Sequence, residues 1–167
     1  MGHKLTKKDI EDIQKELDYR KLVVRPEALE EVKETRAQGD LSENFEYHEA
    51  KRAKNRNEGR IRYLERMIKT ADVIEENTSE DVVSIGKTVT IYIPEDDAEE
   101  VYTLVSTIRK DALNGLISVE SPLGRAMLGH RAGDSIRVRV DDSYSYDAVV
   151  RKVEYTGAGD SAEIRKY

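Results

Sequence analysis

"RAQGDLSENFEYHEAKRAK", Arg36 to Lys54, is the stretch whose reading decides the fold. It opens with helix-forming residues and reaches Gly39, which can end a helix in the left-handed conformation. Within a few residues it resumes as a second helical pattern. Two helices joined by so short a connection run antiparallel. The break carries two carboxylates three residues apart, Asp40 and Glu43. They are either a helix cap or the cargo of the bend.

On the N-terminal side, Thr6 is placed to cap a helix entered at Lys7, with Asp9 in its first turn. Ile10, Ile13 and Leu17 recur at spacings of three and four, one helical face. Pro26 in "VVRPEAL" lacks an N–H and restricts Arg25, so it starts a new helix or kinks the old one. Leu29 and Val32 then extend the apolar stripe to Ala37. On the C-terminal side, Ile61, Leu64, Ile68 and Ala71 keep heptad spacing. Traced backwards, the register passes Asn57, Lys54, Ala50 and Tyr47, so the seam is apolar near residue 70 and thin near the bend. The expectation is a helical hairpin over residues 1–76, with a firm base and a polar far end. From Tyr47 to Ala71 it extends roughly 35–40 Å at 1.5 Å per residue.

Beyond an acidic connector, "EENTSEDVV", the pattern changes. "KTVTIYI", "VYTLVS", "GLISVE", "SIRVRV" and "YDAVVRKVEY" are β-branched and alternating, with turn residues between them. "SPLGRAMLG" reads as one short helix with Ser121 as cap and Pro122 at its first position. The fold class is α+β: the hairpin, a linker over 77–83, a small antiparallel sheet domain with one helix over 84–155, and a loose Gly-rich tail over 156–167.

Composition agrees. The chain has 167 residues, is 37% charged, and has one Phe and no Trp, which argues against a single large core. Without cysteine there is neither a disulfide framework nor a thiolate zinc site. The absence of a signal-like apolar stretch or a membrane-length run leads us to expect a soluble, cytoplasmic protein with no membrane partner. The net charge of −6 disfavours nucleic-acid binding through bulk charge and leaves a local basic patch or a protein partner.

Two enzyme signatures fail at positions they require. His48-Glu49 begins like a metalloprotease motif, but Arg52 stands where the second histidine belongs, and His48 reads as a surface residue. Gly124 to Gly129 has P-loop glycine spacing, but His130 and Arg131 replace the Lys and Ser/Thr that phosphate and metal need.

For Asp40 and Glu43 the ordinary reading is a capping box, Asp at N-cap and Glu at N3, worth about 1 kcal/mol. Against it, Ser42 and Asn44 are capable caps too, and the neighbouring seam is polar. Carboxylates at i and i+3 can instead converge on one Mg²⁺, a hard cation usually held by one or two carboxylates plus water and substrate oxygens. Such a half-site makes sense where a partner supplies the remaining ligands. The second helix also carries Lys51, Arg52, Lys54, Arg56, Arg60, Arg62, Arg66 and Lys69. This is either a solvated face or a phosphate-tracking stripe; Lys51, Arg52, Lys54 and Arg56 are the candidate contacts to RNA or to an acidic channel.

"VRPEALEEVKETRA", "GDLSENFEYHEAK", "EGRIRYLERMI" and "LISVESPLGRAMLGHRAGD", in this order, resemble the bacterial Gre transcript-cleavage factors, the GreA type most closely. The resemblance covers about residues 4 to 155. It implies a coiled-coil hairpin that enters the secondary channel of bacterial RNA polymerase and an FKBP-like docking domain. It also implies that Asp40 and Glu43 help hold the second Mg²⁺ of the polymerase active site, promoting cleavage of a backtracked RNA 3′ end. The implied protein is a monomer, has no cofactor of its own, and activates the polymerase rather than acting as an enzyme. A Gre-like channel-binding inhibitor without cleavage stimulation is the alternative; the intact Asp-Leu-Ser-Glu argues against it. An isomerase or chaperone built on the C-terminal fold would need an aromatic-lined pocket that this half does not offer. Phe45 departs from the family, which more often has a small residue there.

Overall fold

The computed structural model describes residues 2–38, 44–75, 79–160 and 162–164. Among these, no helix is long and apolar enough to cross a membrane. The chain divides into a helical unit, Lys7–Ala71 with the first two residues, and a sheet unit, His3–Thr6 with Asp72–Tyr167. Of the span 1–76 expected for the hairpin, His3–Thr6 and the residues from Asp72 onward group with the sheet unit instead.

The helical unit contains α1 (Lys7–Tyr19), α2 (Arg25–Arg36) and α3 (Phe45–Thr70). Between α1 and α2 the backbone never leaves helical dihedrals, with φ/ψ −59/−46 at Tyr19 and −66/−44 at Val24. It widens instead into a π turn at Arg20–Val24, where the Arg25 N–H donates to the Arg20 carbonyl. Pro26 explains this. It cannot donate, and its ring crowds the carbonyl four residues back, so a looser turn relieves the clash without ending the helix. Of the two sequence expectations for Pro26, the modified continuous helix is the one found.

Apolar residues within and beyond the wider turn lie off the seam. Leu22 is 76% exposed and Leu29 47%, while Thr35 is buried. Leu29 therefore does not continue the core stripe as expected. The seam is built from Ile13 and Leu17 of α1 and from Ala50, Asn57, Ile61, Leu64 and Met67 of α3. Met67 is buried at the base where the heptad count pointed to Ile68, which is only half-buried.

Polar pairs join the two arms in antiparallel register. Glu16 accepts from Arg60 Nε at 2.9 Å and Nη2 at 3.2 Å, and from Arg20 Nε at 2.9 Å. Asn57 accepts from Arg20 Nη1 at 3.0 Å and donates to the Arg20 carbonyl at 3.3 Å. That carbonyl lies in the π turn, so Asn57 pins α3 to the irregularity. Arg25 clasps Glu58 with two bonds, 2.7 and 3.0 Å. Arg25 hydrogen bonding outweighs partial desolvation and holds the Glu58 carboxyl below its ordinary range. A polar residue at a seam position fixes register at some cost in stability.

In the sheet unit, β1 (Lys4–Leu5) pairs in parallel with β2 (Asp72–Val73). The main sheet contains β3 (Thr88–Ile93), β4 (Ala98–Val105), β5 (Leu116–Ser118), β6 (Ser135–Arg139) and β7 (Ser145–Glu154), in the order β5-β4-β3-β7-β6. All pairs are antiparallel except β4 with β5. The expected wholly antiparallel sheet is therefore mixed at one edge. The connection through Thr107–Arg109 and Ala112–Asn114 is long enough to return the chain to the same end before β5 begins. Helix α4 (Pro122–Met127) is capped as expected: Ser121 Oγ accepts from Gly124 N at 3.1 Å, with Pro122 in the first turn.

Val83, Val89, Ile91, Leu104, Val119, Met127, Val138 and Val150 form the core. Val82 and Val83, expected in the linker, are buried in this unit, and Val83 N donates to the His130 carbonyl at 2.8 Å. The described part of the expected loose tail is held as well. Buried Arg109 donates to the Ala162 carbonyl at 2.7 Å, and Thr156 Oγ1 lies 2.6 Å from Thr88 Oγ1.

Candidate functional site

The candidate site is the closed end of the hairpin, where α2 stops and α3 starts. At the end of α2, the buried Thr35 hydroxyl donates to the carbonyls of Glu31 and Val32 at 2.8 and 3.2 Å. Side chains that bond back into the helix in this way compete with its regular ladder near its end. Ala37 completes α2 with helical dihedrals, and its N–H turns to Lys33, Glu34 and Thr35 carbonyls.

Across the bend, α3 begins at Phe45 and its N-cap is Asn44, in extended conformation at φ −80, ψ 91. Asn44 Oδ1 accepts from Tyr47 N at 3.0 Å, satisfying one of the orphan donors of the first turn. The same carboxamide donates through Nδ2 to the Thr35 carbonyl at 2.6 Å. One side chain thus caps the second helix and ties it to the end of the first.

Asp40 and Glu43 fall at positions 39–43, outside the described residues, as does Gly39. What the described residues settle is the cap. It is Asn44, so α3 does not use Asp40 as N-cap with Glu43 at N3. Of the alternative caps weighed from sequence, Asn44 is the one used. Both side chains are hard oxygen donors of the kind Mg²⁺ takes. Among the described residues there is no cluster of three or more His, Asp or Glu side chains able to hold a metal.

The basic residues of α3 do not behave as one stripe. Arg60 is buried and committed to Glu16. Lys54 is half-buried near Glu58, and its charge helps to hold that carboxyl low. Lys51, Arg52 and Arg56 are exposed. Arg52 and Arg56 lie one turn apart, on the side of α3 away from buried Ala50 and Asn57; Arg52 also pairs with Glu49 at 2.5 Å. His48 is exposed, its ring 5.5 Å from that of Tyr47, as a surface residue should be. Phe45, 72% exposed, occupies the first turn of α3.

Two residues that matter here escaped sequence reading. Asn44 was legible as a cap but not as a tie to Thr35. Asn57 was legible only as a weak spot in the heptads, although a lone Asn at such a position is itself a signal for register.

Comparison with known proteins covers both units. Residues 3–73 match the family described as "Transcription elongation factor, N-terminal", and residues 78–155 match "Transcription elongation factor, GreA/GreB, C-term". The chain is 42% identical over 153 residues to the transcription elongation factor GreA of Streptococcus pneumoniae, covering 91% of this chain and 95% of that one. It is 47% identical over 137 residues to GreA of Thermoanaerobacter pseudethanolicus, covering 81% and 87%. A solved structure of GreA factor homolog 1 from Thermus thermophilus is 28% identical, covers 92% of this chain and 99% of its own, and superposes with a TM-score of 0.44.

Proposed function

The chain belongs to the GreA/GreB family of transcription elongation factors, and we propose that it rescues backtracked RNA polymerase by stimulating cleavage of the extruded RNA 3′ end. In this reading the helical hairpin enters the polymerase secondary channel and the sheet unit docks at its rim. Asp40 and Glu43 supply two carboxylates to the second Mg²⁺ of the polymerase active centre and orient water there. In a two-metal site the ions polarise the attacking and leaving oxygens of the phosphodiester. The protein contributes ligands and position, acts as a monomer, and has no nuclease activity alone. Exposed Arg52 and Arg56 are the side chains best placed to lean on RNA phosphates. Lys51 is a weaker candidate, and Lys54 is partly occupied with Glu58.

The observation that carries this reading is the cap. Asn44 is the N-cap of α3, so the capping box that would explain the two acids as an ordinary helix start is not the one this helix uses. They sit in sequence at the far end of a 26-residue helix, about 39 Å long at 1.5 Å per residue. That is the arrangement a delivered half-site needs. The channel-inhibitor alternative is not favoured. The test uses purified protein, stalled backtracked polymerase and end-labelled RNA with Mg²⁺. The transcript should shorten from its 3′ end with the factor present. Free RNA given the protein without polymerase should stay intact; if it is cut, the half-site reading is wrong.

A further inference from the structure

We propose that the outer face of the first arm, the rod formed by α1, the π turn and α2, pairs in antiparallel sense with the same face of a second copy of this chain. Asp18, Leu22, Pro26, Leu29 and Lys33 follow one another at spacings of four, four, three and four, which is one line along a helical rod. All five are exposed, and exposed Tyr19 and Val23 widen the line beside Leu22. The line is turned away from α3. Arg20 and Arg25, which fall between its members, reach across to Asn57 and Glu58, and Lys21 reaches Glu65 at 2.6 Å. On that inner side Leu17 and Thr35 are buried, and Val24, Ala28 and Val32 are half-buried.

Single exposed apolar side chains need no explanation, but a contiguous row rimmed by charge marks a contact surface. The symmetry of the row identifies its occupant. Leu22 stands four residues before Pro26 and Leu29 three after it; Asp18 stands eight before and Lys33 seven after. Opposite charges thus lie at nearly equal distances from the centre. Two such rods laid antiparallel about a two-fold axis beside Pro26 set each Leu22 against Leu29 of the second copy and each Asp18 against its Lys33. This is the self-complementarity that an isologous contact requires. The charges are available for it: Asp18 accepts one hydrogen bond, from Gln14 at 2.9 Å, and among the described residues Lys33 makes no ion pair. A contact of about 24 Å of rod falls at the small end of specific interfaces, so the pair forms at micromolar concentration and separates on dilution. Pairing concerns the free protein and is independent of the cleavage reading, in which a single copy acts.

Sedimentation equilibrium of the full chain tests this, from about 1 to 200 µM, the range in which a weak pair assembles. The wild-type mass should rise from one copy toward two. Leu22→Ser and Leu29→Ser each remove two leucines from every pair and should weaken association by about tenfold or more. Asp18→Lys should weaken it by about threefold or more, and Lys33→Asp added to it should restore association to within about twofold of wild type, because the pair is then re-formed with its signs exchanged. Circular dichroism should be unchanged throughout, since all of these side chains are exposed. A wild-type chain that stays at one copy at about 200 µM overturns the inference, as does association indifferent to both serine variants or a double charge reversal that fails to restore it. Serine variants that lose affinity for RNA polymerase while self-association is unchanged also overturn it, and assign the face to the polymerase instead.

Discussion

Glu16 should be the most consequential single side chain of the helical unit. Its carboxylate takes three hydrogen bonds from two guanidinium groups, and the side chain of one of these, Arg60, is only 8% exposed. Glu16→Ala leaves Arg60 charged, buried and without this partner. Removing one member of a buried pair costs about 3–5 kcal/mol. The Glu16 side chain is 24% exposed and that of Arg20 30%, so water recovers part of this and the expected loss is about 2–3 kcal/mol. For a unit of this size that lowers the melting temperature by about 10–20 °C. Circular dichroism at 222 nm reads it directly, because α1 to α3 hold most of the helix.

The pH dependence has a definite sign. Burial raises the Glu16 pKa, but hydrogen bonds from Arg60 and Arg20 outweigh it and hold the carboxyl below its ordinary range. A depressed pKa means the stabilisation is fully present above the unfolded value and is lost as pH falls through the folded one. The wild-type and Glu16→Ala melting curves should therefore stand far apart at pH 7 and converge in acid. A gap of the same size at pH 3 would mean that packing, not charge, is at work. A gap below about 0.5 kcal/mol at pH 7, the scale of an ordinary surface pair, would refute the network altogether.

Two further outcomes concern the sheet unit. A Cβ added at Gly124 would stand 2.2 Å from the Ser118 carbonyl oxygen and 3.0 Å from Val119 Cα. Gly124→Ala should therefore destabilise this unit by about 3 kcal/mol, seen as earlier proteolysis and a lower calorimetric transition; a loss under 1 kcal/mol would contradict the close approach. Burial, followed by a hydrogen bond to Glu100, pushes the Tyr102 phenol up to about 12. Its contribution to stability is complete below pH 10 and is lost as pH rises toward 12. Absorbance at 295 nm should show a late-titrating tyrosine that disappears in Tyr102→Phe, and its absence from wild type would refute the assignment.

The sequence was most readable where one residue does one local job. The strands, the Ser121-Pro122 start of α4 and the body of α3 follow from periodicity and caps, and the structure has them within a few residues. It was least readable where a local choice depends on a distant partner. Pro26 announces a disturbance, but whether the helix breaks or widens is decided by its continued packing on α3 and by Asn57 meeting the Arg20 carbonyl. Beyond that turn Leu29, expected on the stripe, is 47% exposed. Arg60 is indistinguishable in sequence from its exposed neighbours until Glu16 is found opposite it. The parallel pairing of β5 and the docking of the tail on Arg109 likewise depend on contacts far apart in the chain. At the candidate site, the motif around Asp40 and Glu43 marked the place, and the competition among nearby caps could be settled only by seeing that Asn44 holds the position.

The most direct measurement is a Mg²⁺ titration of RNA cleavage in backtracked polymerase at saturating factor, with wild type, Asp40→Asn and Glu43→Gln, alongside polymerase affinity for each. Both variants should bind as wild type does, yet lose cleavage or need far more Mg²⁺ to recover it. Normal cleavage at ordinary Mg²⁺ by either variant would contradict the claim that these two carboxylates complete the metal site.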